Sequence, residues 1–135
     1  MKNDDLLPLN IKVDSAVKEY ADTIVKYITS MYPGIDYEVD NEIICNEAET
    51  ERANIIDIQT EYAFVTIFPD FSLEGAKASL LNRGLIRAME LEGFDDDSIS
   101  ESPVYGDLMP FSIENAEMFA IMLTHDLGLQ HQKNL

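Results

Sequence analysis

The sequence predicts an α+β fold in which helices pack against an antiparallel sheet. Apolar residues recur at spacings of three and four in residues 14–31, and again after positions 72 and 112, whereas they alternate in 35–39 and 55–68. A spacing near 3.6 is typical of an amphipathic helix, and a spacing of two is typical of a strand. The expected order is helix, an antiparallel meander of three to four strands, helix, acidic loop and helix.

The chain of 135 residues is expected to form one domain between an arm and a tail. Hydrophobic residues make up 46% of the sequence, which is enough for one core. Pro8 interrupts a run of Leu and Ile residues near the N-terminus and favours an extended conformation there. We therefore expect an extended apolar arm at 1–13, a single α+β domain at 14–128 and a C-terminal tail at 129–135.

The first helix is expected to begin at Asp14 and to end before Pro33 and Gly34. Asp is a favourable N-cap, and the Pro-Gly pair is a helix stop signal. The predicted apolar face of this helix consists of Val17, Tyr20, Ala21, Ile24, Val25, Ile28 and Met31.

The first strand follows, and its end is open between two alternatives. The extended stretch either continues to Cys45 or turns at Asp40–Asn41, a dipeptide that tolerates the positive φ of a two-residue hairpin. The polar residues 46–54 are expected to form a loop, and 55–60 and 62–68 to form the next strands. The last of these is apolar on both faces, which predicts a central strand covered on both sides.

A second helix is expected after the sheet, which Pro69 and Asp70 are predicted to end. Ser72 is its predicted N-cap and Gly93 suits its C′ position. The predicted buried stripe of this helix consists of Leu73, Ala76, Leu80, Leu81, Leu85, Ala88 and Met89.

The remaining residues are expected to form an acidic loop and a third helix. Residues 94–111 are rich in Asp, Pro and Gly, with one short strand predicted at Val104 and Tyr105. The third helix is expected to begin after Ser112 and to end near Gly128.

The net charge limits the classes of partner. The chain has 26 acidic and 9 basic residues, a formal charge of −17. Such a field repels nucleic acids and anionic membranes and attracts basic protein surfaces. We therefore expect no direct binding to nucleic acid or to a membrane. The single Cys45 allows no internal disulfide, and the acidic N-terminus does not fit a signal peptide, so a cytoplasmic location is expected.

The sequence carries no pattern of a catalytic, cofactor or metal site. The glycines never form a phosphate-binding motif, and His125 and His131 lack the spacing of paired metal ligands. The stretch 95–106 resembles a calcium loop in its acids but has Ser100 where the turn requires Gly, and Gly106 where a bidentate Glu is required. Cys45 is expected to be a buried structural residue. We expect a protein without enzymatic activity or a cofactor.

The acids fall into two blocks. Residues 36–61 contain nine acids and one base, and residues 88–132 contain ten acids and no base. If Asp36, Glu38, Asp40 and Glu42 lie on one strand, their side chains share one face of the sheet at intervals of about 6.7 Å. A half-buried strand also places polar residues outside without any partner, so a solvated surface is the alternative. The acids predicted to bind a partner are Asp36, Glu38, Asp40, Glu42, Asp95, Asp96, Asp97 and Glu101.

The third helix has more apolar surface than one buried stripe requires. Residues 118–123 are apolar without interruption, with Met118 and Met122 four residues apart. Methionine-rich surfaces adapt to varied partners. We expect these two methionines to contact a partner or a second copy in a homodimer; the alternative is that they complete a small core.

Three non-enzymatic classes use such features. The first is an inhibitor that occupies a basic or nucleic-acid-binding site on another protein, as phage anti-restriction and anti-CRISPR proteins and toxin-immunity proteins do. The second is an escort: in element order, size and low isoelectric point the chain is similar to type III secretion chaperones, which implies apolar patches for an effector segment. The third is a component of a phage or other large assembly. Since charge is the unusual quantity, we expect the inhibitor, with a nucleic-acid-binding protein as its partner.

Overall fold

The computed structural model describes residues 7–82, 90–93 and 108–125. Within them, two helices pack on one face of a five-stranded antiparallel sheet whose strands are adjacent in chain order, so the α+β class is confirmed, but the expected three to four strands were too few. The elements are α1 (Ile11–Met31), β1 (Glu38–Cys45), β2 (Arg52–Gln59), β3 (Ala63–Asp70), β4 (Gly75–Asn82), β5 (Met109–Pro110) and α2 (Ile113–Thr124).

Helix α1 begins earlier than predicted. Its N-cap is Asn10, whose side chain accepts a hydrogen bond from the Val13 N–H at 3.0 Å, so Asp14 lies in the first turn and is not the cap. The helix ends at Met31, before Pro33 and Gly34 as predicted, and Gly34 has a φ of +88°. The buried apolar residues of α1 are Val13, Val17, Tyr20, Ala21, Ile24 and Ile28.

The described part of the N-terminal arm is extended and pairs with the start of β2. Arg52 donates its N–H to the Pro8 carbonyl at 3.0 Å and its Nε–H to the Leu7 carbonyl at 2.8 Å, and it accepts from the Asn10 N–H at 2.9 Å. Residues 11–13, expected in the arm, are the first residues of α1 because the Asn10 cap starts the helix.

Strand β1 runs unbroken from Glu38 to Cys45, so the alternative of a turn at Asp40–Asn41 is wrong. The turn lies at 46–51 and is held by Asn46, whose Oδ1 accepts from the Thr50 and Glu51 N–H groups. Since β2 begins directly after this turn, the predicted loop 46–54 was too long.

Strand β3 is central, as its sequence predicts. Ala63, Val65 and Ile67 are fully buried under the helices, and Phe64 and Phe68 are half-buried on the opposite face. The prediction of a central strand is therefore confirmed, whereas the described helices cover only one of its two faces, not both as expected.

The prediction that the sheet ends at Pro69 and that a helix starts at Ser72 is wrong. Strand β3 continues to Asp70 and pairs with β4 through a hairpin in which Ser72 donates to the Asp70 carboxylate at 2.9 Å and Glu74 has a φ of +51°. Leu73, placed in the predicted stripe, is 80% exposed. Alternate residues of β4 are buried: Ala76, Ala78 and Leu80. Positions 76 and 80 fit both a helical and an alternating period, and the helical interpretation neglected position 78.

The rest of the predicted second helix and most of the predicted loop lie outside the described residues. This applies to Leu85, Ala88 and Met89, and to the strand expected at Val104 and Tyr105. Within 90–93, the Gly93 N–H donates to the Glu90 carbonyl, and Gly93 has a φ of +94°. The short strand that the structure does show is β5, which pairs with β4.

Helix α2 begins as predicted, because the Ser112 hydroxyl accepts from the Asn115 N–H at 3.0 Å. It ends at Thr124 rather than near Gly128. The described residues therefore contain two helices, not the three expected. Both pack on the inner face of the sheet, which we define as the face carrying Val65 and Ile67.

The helices do not extend over the whole sheet. Helix α1 packs mainly on β2, β3 and β4, and α2 packs on β3 and β4. Strand β1 at the sheet edge therefore projects past the helical layer.

Candidate functional site

Strand β1 is the most exposed strand of the sheet. Residues 38–43 are all exposed, including the apolar Val39 at 48% and Ile43 at 38%. One side of β1 pairs with β2, and no strand in the described ranges pairs with its other side. An open edge strand is a template for pairing with another chain.

The outward-facing backbone groups of β1 follow from the hydrogen bonds of β2. The N–H groups of Arg52 and Asn54 point away from β1, since they donate to Pro8 and to Asp14. In an antiparallel ladder the alternate residues bond to the neighbouring strand, so the backbone N–H and C=O groups of Ala53, Ile55, Asp57 and Gln59 face β1.

The backbone of β1 alternates in the same way. The residues opposite these four, Glu38, Asp40, Glu42 and Ile44, bond to β2. Val39, Asn41 and Ile43 therefore direct their N–H and C=O groups to the open edge.

Three carboxylates form what we call the acidic row: Glu38, Asp40 and Glu42. Asp40 pairs with Asp57, which alternates with the buried Ile56 and Ile58, so the row lies on the outer face of the sheet, opposite the helices. Alternate residues of a strand repeat about every 6.7 Å. The structure thus brings three of the predicted acids onto one face.

Asp57 adds a further charge to this row. It lies directly opposite Asp40 in the register and is half-buried. Like charges in directly opposed positions destabilise a sheet by roughly 0.2–1 kcal/mol. Asp57 was not among the acids predicted to bind, because only the strand register shows which residue lies opposite Asp40.

No described lysine or arginine forms an ion pair with the acidic row. The ion pairs in the described part of the chain join Lys12 to Glu74, Lys18 to Asp14 and Lys77 to Asp70. Arg52, the one base within residues 36–61, donates its Nε–H to the N-terminal arm. Among the described residues, no ion pair therefore offsets the charge of the row.

Asp14 shows how a carboxylate with a structural role is bound in this fold. Its Oδ1 accepts from the Asn54 N–H at 2.9 Å and from Asn54 Nδ2 at 2.7 Å, and its Oδ2 lies 3.0 Å from Lys18 Nζ. Burial alone would raise the pKa of Asp14, but these hydrogen bonds and the Lys18 charge hold the pKa below its usual value. Asp14 thus accepts a hydrogen bond from a backbone N–H of β2 at Asn54, before the residues of β2 that pair with β3.

Asp36 lies just before β1 and not within it. With Glu38 and Glu61 it lines a shallow polar cleft of about 430 Å³, which Tyr37, Gln59 and Thr60 complete. The cleft joins the start of β1 to the turn between β2 and β3. It extends the negative surface at one end of the acidic row.

Met118 and Met122 lie on another part of the molecule. Both are half-buried and pack on the core, while Ile121 between them is 42% exposed. With Glu114 and Glu117 they line an apolar groove of about 370 Å³ on α2. Since α2 packs on β3 and β4, the methionine pair and the acidic row belong to separate surfaces.

The second predicted acidic block, Asp95, Asp96, Asp97 and Glu101, lies outside the described residues. Across the described ranges, no group of three or more His, Cys, Asp or Glu residues has the geometry to hold a metal ion. Neither described helix is long and apolar enough to cross a membrane.

Comparison with known proteins gave no match to a family model, to a curated protein or to a solved structure.

Proposed function

We propose that this protein is a non-enzymatic cytoplasmic binding module that uses β1 to bind a basic surface on a partner protein. The observation that supports this most strongly is the acidic row on an exposed edge strand, without an ion pair to a described cation. Opposite charge steers association and fixes the orientation of a complex.

The proposed partner is a nucleic-acid-binding protein, and the proposed outcome is inhibition. A DNA strand carries one phosphate per ~3.4 Å of axis. The acidic row has about half that linear density, and Asp57 adds charge on a strand about 4.8 Å away. A basic groove that binds phosphates on a partner protein would accept this acidic surface. We propose that the chain acts in the manner of phage anti-defence and toxin-immunity proteins, which occupy such sites.

The acids of β1 form no ion pair with a described cation, which supports a role in binding rather than in stability. Asp40 opposes Asp57, and β1 contributes little buried apolar surface. Charges on edge strands also prevent edge-to-edge aggregation. Protection against aggregation could use charges of either sign. The charged residues of β1 and of the turn at 46–51 are all acidic, which favours a basic partner.

Capture from a host lysate tests the proposal with two variants of equal charge. The β1 triple variant replaces Glu38, Asp40 and Glu42 with Gln, Asn and Gln. The control triple variant makes the same replacements at the exposed Glu19, Asp22 and Glu90. We expect the wild type and the control to capture a partner that salt elutes, and the β1 triple variant to lose it. Equal capture by both variants would contradict the proposal.

An escort that binds an apolar effector segment is the second candidate, because the α2 groove around Ile121 is exposed and apolar. This candidate predicts a partner that resists salt and elutes with detergent. It also predicts a large negative heat-capacity change on binding, which is the mark of apolar burial.

A further inference from the structure

We propose that the open edge of β1 binds its partner by strand addition, and that the occupant is an extended segment in which Lys or Arg alternates with apolar residues. This inference rests on the proposed function, since it specifies how the basic partner is bound. It depends on the backbone of β1, on its two side-chain faces and on its charge.

The backbone provides the hydrogen bonds. Val39, Asn41 and Ile43 direct N–H and C=O groups away from β2, whereas the backbone of the acidic row is used by β2. All four strand pairings of the sheet are antiparallel, and we propose the same orientation for the incoming strand. Main-chain hydrogen bonds then supply affinity, and alternate side chains supply specificity.

The two faces of β1 determine the pattern of the occupant. On the outer face the new strand lies beside the acidic row, which favours Lys or Arg at alternate positions. On the inner face it lies beside the exposed Val39 and Ile43, which favours apolar residues between the bases. A segment with this alternation fits both faces at once, and a shift of one residue would reverse every side chain.

The same charges disfavour a second copy of this chain as the occupant. If β1 paired with itself about a two-fold axis at Asn41, Asp40 of each copy would lie opposite Glu42 of the other. Like charges in opposed positions are destabilising. Charge complementarity therefore selects a basic strand over self-pairing.

Amide hydrogen exchange with a defined peptide tests the inference. The probe is a synthetic peptide of about seven alternating lysine and valine residues, with a control peptide of the same composition in which the lysines and valines form separate blocks. With the peptide at about ten times its Kd, we expect about tenfold slower exchange at the amides of Val39, Asn41 and Ile43. The amides of Glu38, Asp40 and Glu42 already bond to β2, so their exchange should change least.

N-methylation of the peptide adds a test that leaves the protein unchanged. In the expected pairing the valine N–H groups face β1 and the lysine N–H groups face solvent. Methylation at the valines should abolish binding, and methylation at the lysines should preserve it. Equal binding of both methylated peptides, equal binding of the block peptide, or no binding of the alternating peptide would overturn strand addition.

Variants of Asn41 separate this inference from the proposed function. Asn41→Pro removes an outward N–H, and Asn41→Ala keeps it while losing the same 3.4 Å side-chain bond to Asn54. We expect the Pro variant to lose the alternating peptide and the Ala variant to retain it. If both variants bind and the β1 triple variant does not, strand addition is wrong and charge-driven binding stands. If the β1 triple variant also binds normally, the proposed function is wrong.

Discussion

Strands β1 and β3 have the same length of eight residues, yet β1 carries acids along one face whereas β3 is apolar on both faces, and the two strands differ in burial. In β3 alternate residues are fully buried under the helices, whereas residues 38–43 of β1 are exposed on both faces. The difference arises because the helical layer covers β2 to β4. Alternation thus identifies a strand, but the position of the strand in the sheet decides whether its apolar residues enter the core.

The two strands are expected to have different roles, β3 in the stability of the fold and β1 in binding. The core under α1 stabilises the fold, and β1 contributes a charged edge that no described strand covers and that we propose binds a partner. Substitutions in β3 should therefore act on unfolding, and substitutions in β1 should act on association.

The largest expected contrast is between Ile67→Ala and Ile43→Ala. Ile67 is fully buried, so its truncation should lower the free energy of unfolding by about 2–5 kcal/mol. Ile43 is 38% exposed, so the same change should lower it by less than about 1.5 kcal/mol. Urea unfolding measures both, and equal losses would show that β1 belongs to the core.

A second contrast compares two carboxylates. Asp14→Ala leaves the Asn54 donors and Lys18 without their acceptor, and should destabilise the fold by about 2–4 kcal/mol. Asp40→Ala removes one of two opposed like charges, and should change stability by less than about 1 kcal/mol, in the stabilising direction. Urea unfolding at neutral pH compares them. A destabilising Asp40→Ala would indicate a structural contact for the acidic row.

The contribution of Asp14 should also depend on pH. Its folded pKa lies below the ordinary value of 3.8, so its ionised form stabilises the fold. The contribution is complete above the unfolded pKa and is lost as pH falls through the folded pKa. The difference in unfolding free energy between wild type and Asp14→Asn should therefore be constant near neutrality and shrink below about pH 4. A difference that grows on acidification would contradict this assignment.

Helix α2 offers a smaller contrast. Met118→Glu and Met122→Glu alter half-buried residues that pack on the core, so each should lower stability by about 1–3 kcal/mol. Ile121→Glu changes a more exposed side chain and should alter stability by only about 0.5 kcal/mol. Light scattering and partner capture with Ile121→Glu then test the α2 groove directly. A well-folded Ile121→Glu variant with an unchanged oligomeric state and unchanged binding would exclude the groove as a contact surface.

The smallest expected effect is that of Cys45→Ala at the end of β1. Cys45 is half-buried and not fully buried as expected, and its replacement should lower stability by less than about 1.5 kcal/mol and leave partner binding intact. Urea unfolding and lysate capture check the two expectations. Lost function in a well-folded variant would contradict the non-enzymatic interpretation.

The sequence predicted those elements whose signals are local. The apolar face of α1, the Ser112 cap of α2 and the two apolar faces of β3 all depend on neighbouring residues. Strand β4 was missed because positions 76 and 80 satisfy two periods, and only the pairing with β3 decides between them.

The proposed binding surface was predicted only in part, for the same reason. The acidic row could be placed on one face from alternation alone. The sequence alone could not show that Asp57 lies opposite Asp40, or that the backbone groups of Val39 and Asn41 face the open edge. Both depend on the register in which β1 pairs with β2. The bond from Asp14 to Asn54 joins residues 40 positions apart, so a helix-capping role was the only local interpretation of Asp14.

The most direct test of the central claim is the association rate of the captured partner with the two triple variants. Both variants have the same net charge, so a difference between them reports the position of the charges. We expect the β1 triple variant to associate about tenfold more slowly than wild type at low salt, and the control triple variant to stay within about twofold. The difference should shrink as salt rises, since the Debye length falls to ~3 Å at 1 M. Equal rates for the two variants at low salt, with both folded, would contradict the claim that the acidic row of β1 is the binding surface.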